Sequence, residues 1–454
     1  MQFELSKEFL DNLRELIKED NKTAVQELLK ELHPADVAEI LEELDKEGAN
    51  YVLLQVDNDT AADALAELDD EDREDLIESL PLHTVATRII MNMDSDDAAD
   101  MIGSYSDDEQ QEILSYIHDI EQASDIVELL NYDDDTAGGL MGKEFVMVNE
   151  NWTVMTCLRE LTRQAEDIDE IYYVYVVNDD NKLKGTLSLK RMILSPTSAK
   201  IINIYNKDVI SVTVDEESEE VSLIMEKYDL VAMPVTDSIG RVVGRITIDD
   251  VVDVIREGAE KDYQLASGIS QDVDISDSIL VQTKARLPWL VIGLVGGIFD
   301  AFIISNHESD IKIFPMMAFF IPLITAMGGN VGIQSSAIVV QGLANNSLGY
   351  ESTFNKILKE FGRSVIIATI CSLLLLGFCF LTSFGSLALT LSSIIALFIV
   401  IIFASIFGTF IPLALDKLKI DPALATGPFI TMSNDIVGLF IYLAVGKMIF
   451  EYMA

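Results

Sequence analysis

TMSNDIVGLF, Thr431–Phe440, places an amide and a carboxylate inside an apolar run that begins at Pro422 and continues past Val445. A charge near the centre of a helix in lipid costs about 2.5–3.5 kcal/mol even on insertion scales. The apolar interior of this half of the chain offers no Lys or Arg that could pair with Asp435. We therefore interpret Asp435 as a functional carboxylate on a membrane-spanning helix.

The C-terminal part of the chain has five apolar runs that are each long enough to cross a bilayer. These runs cover approximately residues 287–304, 314–343, 365–384, 389–415 and 422–450. From Ile279 onward nine basic residues balance nine acidic ones, so the whole formal charge of −45 lies before Ile279. A strongly acidic soluble half argues against binding to nucleic acid or to anionic lipid and is compatible with cation binding.

Basic residues flank the apolar runs on one side of the predicted membrane. They are Lys284, Arg286, Lys356, Lys359, Arg363, Lys417 and Lys419. The positive-inside rule places these residues in the cytoplasm. We therefore predict a multi-pass protein of the plasma (inner) membrane, with cytoplasmic N-terminal domains and an extracytoplasmic C-terminus.

Polar residues of the membrane half concentrate in AMGGNVGIQSS, Ala326–Ser336, and DPALATGPFITMSNDIVG, Asp421–Gly438. Glycines weaken a helix, and irregular backbone at membrane depth is tolerated where it is buried or lines water. We predict a second membrane helix that is broken by Pro315, Pro322 and MGGNVG and that faces the fifth across a wet path. Oxygen ligands without His or Cys suit Mg²⁺, Ca²⁺ or Mn²⁺. The candidate pore residues are Asp435, Asn434, Asn330, Gly328 and Gly329.

Two kinds of internal repeat organise the acidic half. PADVAEILEEL, DTAADALAEL and SDDAADMIGS share a helical spacing and follow cap-type residues, which indicates stacked helical hairpins up to about Asn131. Tyr175–Ile193 and Met233–Val252 both read as strand, polar turn and strand, followed by a helix opened by Ser188 or Thr247. This second duplication resembles a tandem pair of CBS domains.

TAGGLMGKEFV, ARLPWLVI, PLITAMGGNVGIQS and DPALATGPFITMSNDIVGLFIYL, together with the CBS pair, resemble MgtE-type magnesium channels and transporters. The match covers essentially the whole chain in the order of that family. It implies a multidomain membrane protein with an all-α helical-hairpin N domain, two α/β CBS domains, a connecting helix and five transmembrane helices. The expected bounds are 1–132 for the N domain, 133–200 and 201–262 for the CBS domains, 248–278 for the connecting helix and linker, and 279–454 for the transmembrane domain.

The resemblance implies a homodimeric Mg²⁺ channel that is gated by cytoplasmic Mg²⁺, rather than an enzyme. Its pore would lie between the second and fifth helices, with Asp435 as the selectivity residue. Mg²⁺ would be both cargo and regulator, and would screen the acidic faces to close the pore. The implied sensor residues are Asp63, Asp96, Asp100, Glu217, Glu219, Asp229, Asp250, Asp253, Asp262 and Asp421.

The chain departs from the family pattern at several positions. Gly258 and Lys261 stand where the family often has acids, and Ile333 stands where an Asn is usual. Leu194–Lys200 is unlike the loop expected to bind ATP, which leaves ATP binding at the CBS pair open. A divalent-cation transporter for Mn²⁺ or Co²⁺ is the alternative, and channel or coupled transport are both left open.

Other function classes explain the residues less well. The four histidines are isolated and form no HExxH motif, which argues against an intramembrane zinc protease. An anion channel requires Lys, Arg or helix N-termini at its site, whereas the membrane clusters here offer a carboxylate and carbonyl oxygens. A purely structural membrane anchor would leave Asp435 unexplained.

Overall fold

The computed structural model describes residues 3–165, 168, 170–271, 273, 277–344, 349, 352–425 and 427–453. The chain divides into two compact units, Met1–Arg256 and Glu257–Ala454. The first unit contains the N domain and both CBS domains, and the second contains the apolar helices.

The N domain is built from short amphipathic helices around one apolar core. They are α1 (Lys7–Lys18), α2 (Lys22–Leu29), α3 (Pro34–Glu42), α4 (Lys46–Leu53), α5 (Asn58–Ala66), α6 (Asp70–Ile77), α7 (Leu82–Thr84), α8 (Ser95–Gly103), α9 (Asp107–Tyr116) and α10 (Ile120–Leu129). A π turn (Val85–Ile89) and a 3₁₀ turn (Ile90–Asn92) follow α7. The predicted helical repeat is confirmed, since its three copies form α3, α5 and α8.

Polar residues just before the N-domain helices explain where the helices begin. Asp57 accepts a hydrogen bond from the Thr60 backbone nitrogen at 3.0 Å, which satisfies a free donor of the first turn of α5. His33 has the same role for α3, where its ring accepts from the Ala35 nitrogen at 3.3 Å. Ala61, Ala62, Ala64 and Leu65 of α5 are all fully buried, so one helix face supplies the core.

The two CBS domains repeat one topology, as the sequence predicted. The first contains β1 (Val146–Asn149), α11 (Val154–Gln164), β2 (Val174–Val177), β3 (Leu183–Leu187) and α12 (Leu189–Ile193). The second contains β4 (Val212–Thr213), α13 (Ser218–Lys227), β5 (Ala232–Thr236), β6 (Val242–Thr247) and α14 (Ile248–Ala266). In each sheet the middle strand pairs in parallel with the strand before it and antiparallel with the strand after it.

Of the two caps that the sequence predicted for the CBS domains, the one at Ser188 is present as a side-chain cap. Ser188 accepts from the Arg191 nitrogen at 3.3 Å and caps α12 directly. Thr247 instead donates from its backbone nitrogen and its hydroxyl to Asp250 Oδ2, at 2.9 and 2.8 Å. These two bonds hold the Asp250 carboxylate at the first turn of α14, where a negative charge is favoured by the helix dipole.

Among the described residues of the second unit, five helical segments are long and apolar enough to cross a membrane. The elements are α15 (Ile279–Asn306), α16 (Glu308–Ile313), α17 (Ile321–Ala344) after a 3₁₀ turn at Pro315–Phe320, α18 (Thr353–Thr382), α19 (Leu387–Lys417) and α20 (Gly427–Met453) after a 3₁₀ turn at Pro422–Ala425. α19 is the central helix and packs against α17, α18 and α20. α15 packs against α20.

Two helices extend beyond their apolar runs, and one prediction about these helices needs correction. α15 and α18 begin well before their apolar runs because Ser278 and Ser352 cap them and the following polar residues are good helix formers. The predicted break at MGGNVG is wrong, since α17 is helical throughout Ile321–Ala344. Packing against the neighbouring helices outweighs the weak helix propensity of glycine there, and the backbone irregularity lies earlier, at Pro315–Phe320.

Candidate functional site

Helices α17 and α20 approach each other closely at the glycines of the first polar cluster. A Cβ atom built on Gly328 would lie 3.5 Å from the carbonyl oxygen of Asn434. A Cβ atom built on Gly329 would lie 3.2 Å from Thr431 Cγ2 and 3.5 Å from Asp435 Oδ1. The glycines therefore serve close helix approach rather than a helix break. The two polar clusters face each other as predicted, in direct contact, and the wet path between them stays a prediction.

Asn434 is fully buried at this helix crossing, with its side chain directly over Gly332. Neither its amide oxygen nor its amide nitrogen has a hydrogen-bond partner among the described residues. Leaving such a group unsatisfied costs about 1–3 kcal/mol. A buried amide without a protein partner is typical of a site that water or an ion completes.

Asp435 lies one residue beyond Asn434 and is half-buried. In the described part of the chain no Lys or Arg forms an ion pair with it, which agrees with the interpretation of Asp435 as an unpaired functional carboxylate. Asn330 on α17 is exposed. Asp300 on α15 lies near enough for its charge to act on Asp435. Asp435 is therefore a partly accessible carboxylate close to a second acid, Asp300.

The first unit brings several acidic side chains together at the start of α8. One carboxylate oxygen each from Asp94, Asp96 and Glu144 lies within 4.8 Å of the other two. Glu144 is held in place by the backbone nitrogen and the hydroxyl of Ser95, each at 3.1 Å. Asp250 of α14 is close enough for its charge to act on Asp96. We name Asp94, Asp96, Asp97, Glu144 and Asp250 the acidic junction.

Three carboxylates of the acidic junction, Asp96, Asp97 and Asp250, have raised pKa values. Burial, and then the charge of Asp250, raise the pKa of Asp96 well above its usual range. Burial and the charges of Asp250 and Asp94 raise the pKa of Asp97 to about 8. Burial raises the pKa of Asp250 to about 6, although its hydrogen bonds from Thr247 oppose the shift. Crowded oxygen ligands that repel one another fit a hard divalent cation.

The remaining predicted sensor residues of the first unit lie at other places. Asp100 is exposed on α8, where its charge acts on Asp97. Asp253 is exposed on α14 near the ion pair that Arg256 forms with Asp69 at 3.2 Å. Four further predicted sensor residues are exposed and lie outside the cluster with metal-ligand spacing that the described residues form. They are Asp63 on α5, Glu217 and Glu219 at the start of α13, and Asp229 just after α13.

In the second unit the end of α14 lies against the start of α20. A Cβ atom built on Gly427 would lie 3.3 Å from the carbonyl carbon of Ala266, and one on Gly268 would lie 3.2 Å from Pro428 Cδ. Asp421 is exposed and caps the 3₁₀ turn Pro422–Ala425 that follows it, accepting a hydrogen bond from the Ala423 nitrogen at 2.8 Å. Asp262, half-buried on α14, lies one turn before Ala266. Movement of the end of α14 would therefore act directly on α20.

Sequence reasoning missed three members of the acidic junction. Asp94 and Asp97 stand beside Asp96 in MDSDDAAD and could have been chosen from the density of acids alone. Glu144 lies in TAGGLMGKEFV, a motif that marked the family but gave no sign of a ligand. Its hydrogen-bond partner Ser95 is distant in sequence, so only the fold brings the two together.

Comparisons with known proteins agree with this architecture. Family models match residues 32–135 as an MgtE intracellular N domain, 137–195 and 201–257 as CBS domains, and 321–445 as an MgtE divalent cation transporter. The magnesium transporter MgtE of Enterococcus faecalis is 37% identical over 335 residues, which are 73% of this chain and 73% of that protein. The magnesium transporter MgtE of Bacillus subtilis is 35% identical over 317 residues, 70% of each chain.

Among solved structures, the cytosolic domain of the Mg²⁺ channel MgtE in complex with ATP is 35% identical, with a TM-score of 0.51. The matched region is 54% of this chain and 99% of that structure's chain. The similarity thus extends from the acidic half through the apolar helices that hold Asp435. The chain belongs to the MgtE family of magnesium transporters.

Proposed function

We propose that this protein is a Mg²⁺-selective channel of the plasma membrane whose ion path runs along α17 and α20. The observation that carries the proposal is the carboxylate of Asp435 beside Gly329, which forms no ion pair with a Lys or Arg in the part of the chain that the structure describes. Mg²⁺ gives up its hydration shell reluctantly. Two copies of Asp435 in a homodimer would hold the hydrated ion through its waters, with Gly328, Asn330 and Asn434 shaping the path.

The proposed regulation is closure by cytoplasmic Mg²⁺. The first unit is strongly acidic, and its junction carboxylates repel one another, so a bound dication stabilises the arrangement in which they converge. The end of α14 would pass this change to α20 through Ala266 and Gly427. The proposed sensor residues are Asp63, Asp96, Asp100, Glu217, Glu219, Asp229, Asp250, Asp253, Asp262 and Asp421, together with Glu144 from the acidic junction.

The N-terminal domains would lie in the cytoplasm and the C-terminus outside it, as the basic loops predict. ATP is proposed as a ligand of the CBS pair because the related cytosolic domain was solved with ATP. Titration of the full-length protein with ATP, followed by calorimetry, tests that part. The absence of saturable binding at millimolar ATP would contradict it.

The transport proposal is tested by flux into proteoliposomes at set membrane potentials. A channel is expected to carry Mg²⁺ at a rate that follows the potential without any counter-ion gradient. Competing Mn²⁺, Co²⁺ and Ca²⁺ identify the preferred ion. Flux that requires a proton or Na⁺ gradient would replace the channel by a coupled transporter, and faster uptake of Mn²⁺ or Co²⁺ would replace the proposed cargo.

A further inference from the structure

Besides Asp435, the second unit contains a carboxylate that is buried between helices. Glu360 of α18 is only 8% exposed. Its Oε1 accepts a hydrogen bond from Ser335 of α17 at 2.9 Å and another from Ser405 of α19 at 2.5 Å. The two hydroxyl oxygens lie 3.0 Å apart. One carboxylate oxygen thus joins three helices.

The charge of Glu360 is fully accounted for by protein groups. Its second oxygen, Oε2, accepts from Arg363 Nη1 at 3.2 Å, and the Arg363 side chain is largely exposed. A buried carboxylate is tolerated when hydrogen bonds satisfy its oxygens and a cation balances its charge. Among the described residues Asp435, by contrast, forms no ion pair with a Lys or Arg, so the two carboxylates have different roles.

The three-helix contact lies on the same face of α17 as the glycines near Asp435. Ser335 follows Gly328 by seven residues, which is close to two full helical turns. A Cβ atom on Gly328 would touch Val400 of α19 at 3.0 Å, and one on Gly438 of α20 would touch the same Val400 atom at 3.2 Å. α19 therefore sets the spacing of α17 and α20, and Glu360 ties α17 to α19.

We propose that Glu360 is a positioning residue for transport, which holds the glycine face of α17 toward Asp435 through its bonds to Ser335 and Ser405. Without these bonds α17 loses its fixed rotation against α19, and the ion path loses its shape. This inference rests on the proposed path along α17 and α20. The readouts below separate a failure of one from a failure of the other.

The first readout is helix geometry, which does not depend on transport. Gly329→Cys and Thr431→Cys are introduced in a chain whose native cysteines, Cys157, Cys371 and Cys379, are replaced by Ala. The Cβ position of Gly329 is 3.9 Å from Thr431 Cα, within reach of a disulfide. The rate of oxidative cross-linking then reports how often the two helices keep this alignment.

The test variant is Ser335→Ala/Ser405→Ala, which removes both donors and leaves Glu360 in place. The matched control is Ser364→Ala, since Ser364 is fully buried one turn along α18 and bonds only to Phe361 of its own helix at 2.8 Å. We expect the cross-linking rate to fall about tenfold in the double variant. We expect Mg²⁺ flux, measured in the chain that keeps its native cysteines and carries no added ones, to fall about tenfold as well. Both are expected to stay unchanged in the control.

The conservative variant Glu360→Gln keeps an acceptor for the hydroxyls and should retain about half of the cross-linking rate, whereas Glu360→Leu should lose it. Equal cross-linking in the double variant and in Ser364→Ala would overturn the positioning role. Reduced cross-linking with wild-type flux would support the positioning role of Glu360 and contradict the ion path along α17 and α20. If the double variant does not fold, Ser335→Ala and Ser405→Ala are compared singly, and two single variants with wild-type cross-linking overturn the proposal.

Discussion

Gly332→Ala tests the packing of α17 on α20 with a single methyl group. The added Cβ would lie 2.8 Å from Ile430 Cγ2 and 3.2 Å from Asn434 Cγ, and would overlap the amide nitrogen of Asn434. These are side-chain atoms of two buried residues of α20, so both side chains must move within a packed interface. Overpacking of this kind costs about 1–3 kcal/mol.

Gly377→Ala on α18 is the matched control, since its Cβ meets no described atom within 4 Å. Both variants gain about 1 kcal/mol of helix propensity, so the difference between them isolates the packing cost. We expect Gly332→Ala to have a lower unfolding temperature than Gly377→Ala. If the packed arrangement is the conducting one, a cost of about 1–3 kcal/mol lowers Mg²⁺ flux by about 5- to 150-fold.

The assays are thermal unfolding of purified protein and Mg²⁺ flux into proteoliposomes, with dimer content checked for both variants. Equal unfolding temperatures and equal flux for Gly332→Ala and Gly377→Ala would refute the close approach of α17 and α20. A stability loss without any loss of flux would refute only its connection to the ion path.

Three further predictions concern the acidic half. The raised pKa values of Asp97 and Asp250 mean that the folded state binds more protons than the unfolded state. Without divalent ions, the stability measured by thermal unfolding should therefore fall as the pH rises from about 4 to 8. Asp97→Asn should flatten this pH dependence. Glu144→Gln should raise the Mg²⁺ concentration needed to protect residues 248–278 from protease, whereas the exposed-acid control Glu226→Gln should not, and equal effects would contradict the acidic junction as a Mg²⁺ site. The last prediction concerns a variant in which four sensor acids are neutralised together: Asp96, Asp100, Asp250 and Asp253. Millimolar Mg²⁺ should no longer protect this variant from protease, and its Mg²⁺ flux should stay high at high Mg²⁺. Equal protection of the wild type by K⁺ at matched ionic strength would instead indicate simple charge screening.

Residues with strong local signals led to correct predictions. The CBS duplication was visible because strand alternation, polar turns and the cap residues Ser188 and Thr247 recur at a constant spacing. The membrane helices were visible because their apolar runs are long. The apolar runs did not show that α15 and α18 begin earlier, because each helix continues through polar residues after a serine cap.

Signals that depend on tertiary contacts led to errors or omissions. Glycine propensity suggested a break at Gly328 and Gly329, but the same lack of a side chain permits the contact with α20 that keeps the helix intact. Glu144 and Glu360 were missed because their partners Ser95 and Ser335 are remote in sequence. Such pairs leave no local periodicity, and the fold alone brings them together.

The most direct test of the central claim is Mg²⁺ flux through Asp435→Asn in proteoliposomes, compared with the wild type and with Asp416→Asn. The Asn side chain keeps the shape of the carboxylate and removes its charge, and Asp416 is an exposed acid at the end of α19. With folding and dimer content verified, we predict no Mg²⁺ flux above that of protein-free liposomes for Asp435→Asn and wild-type flux for Asp416→Asn. Wild-type Mg²⁺ flux through Asp435→Asn would contradict the assignment of this carboxylate as the ion-selective group.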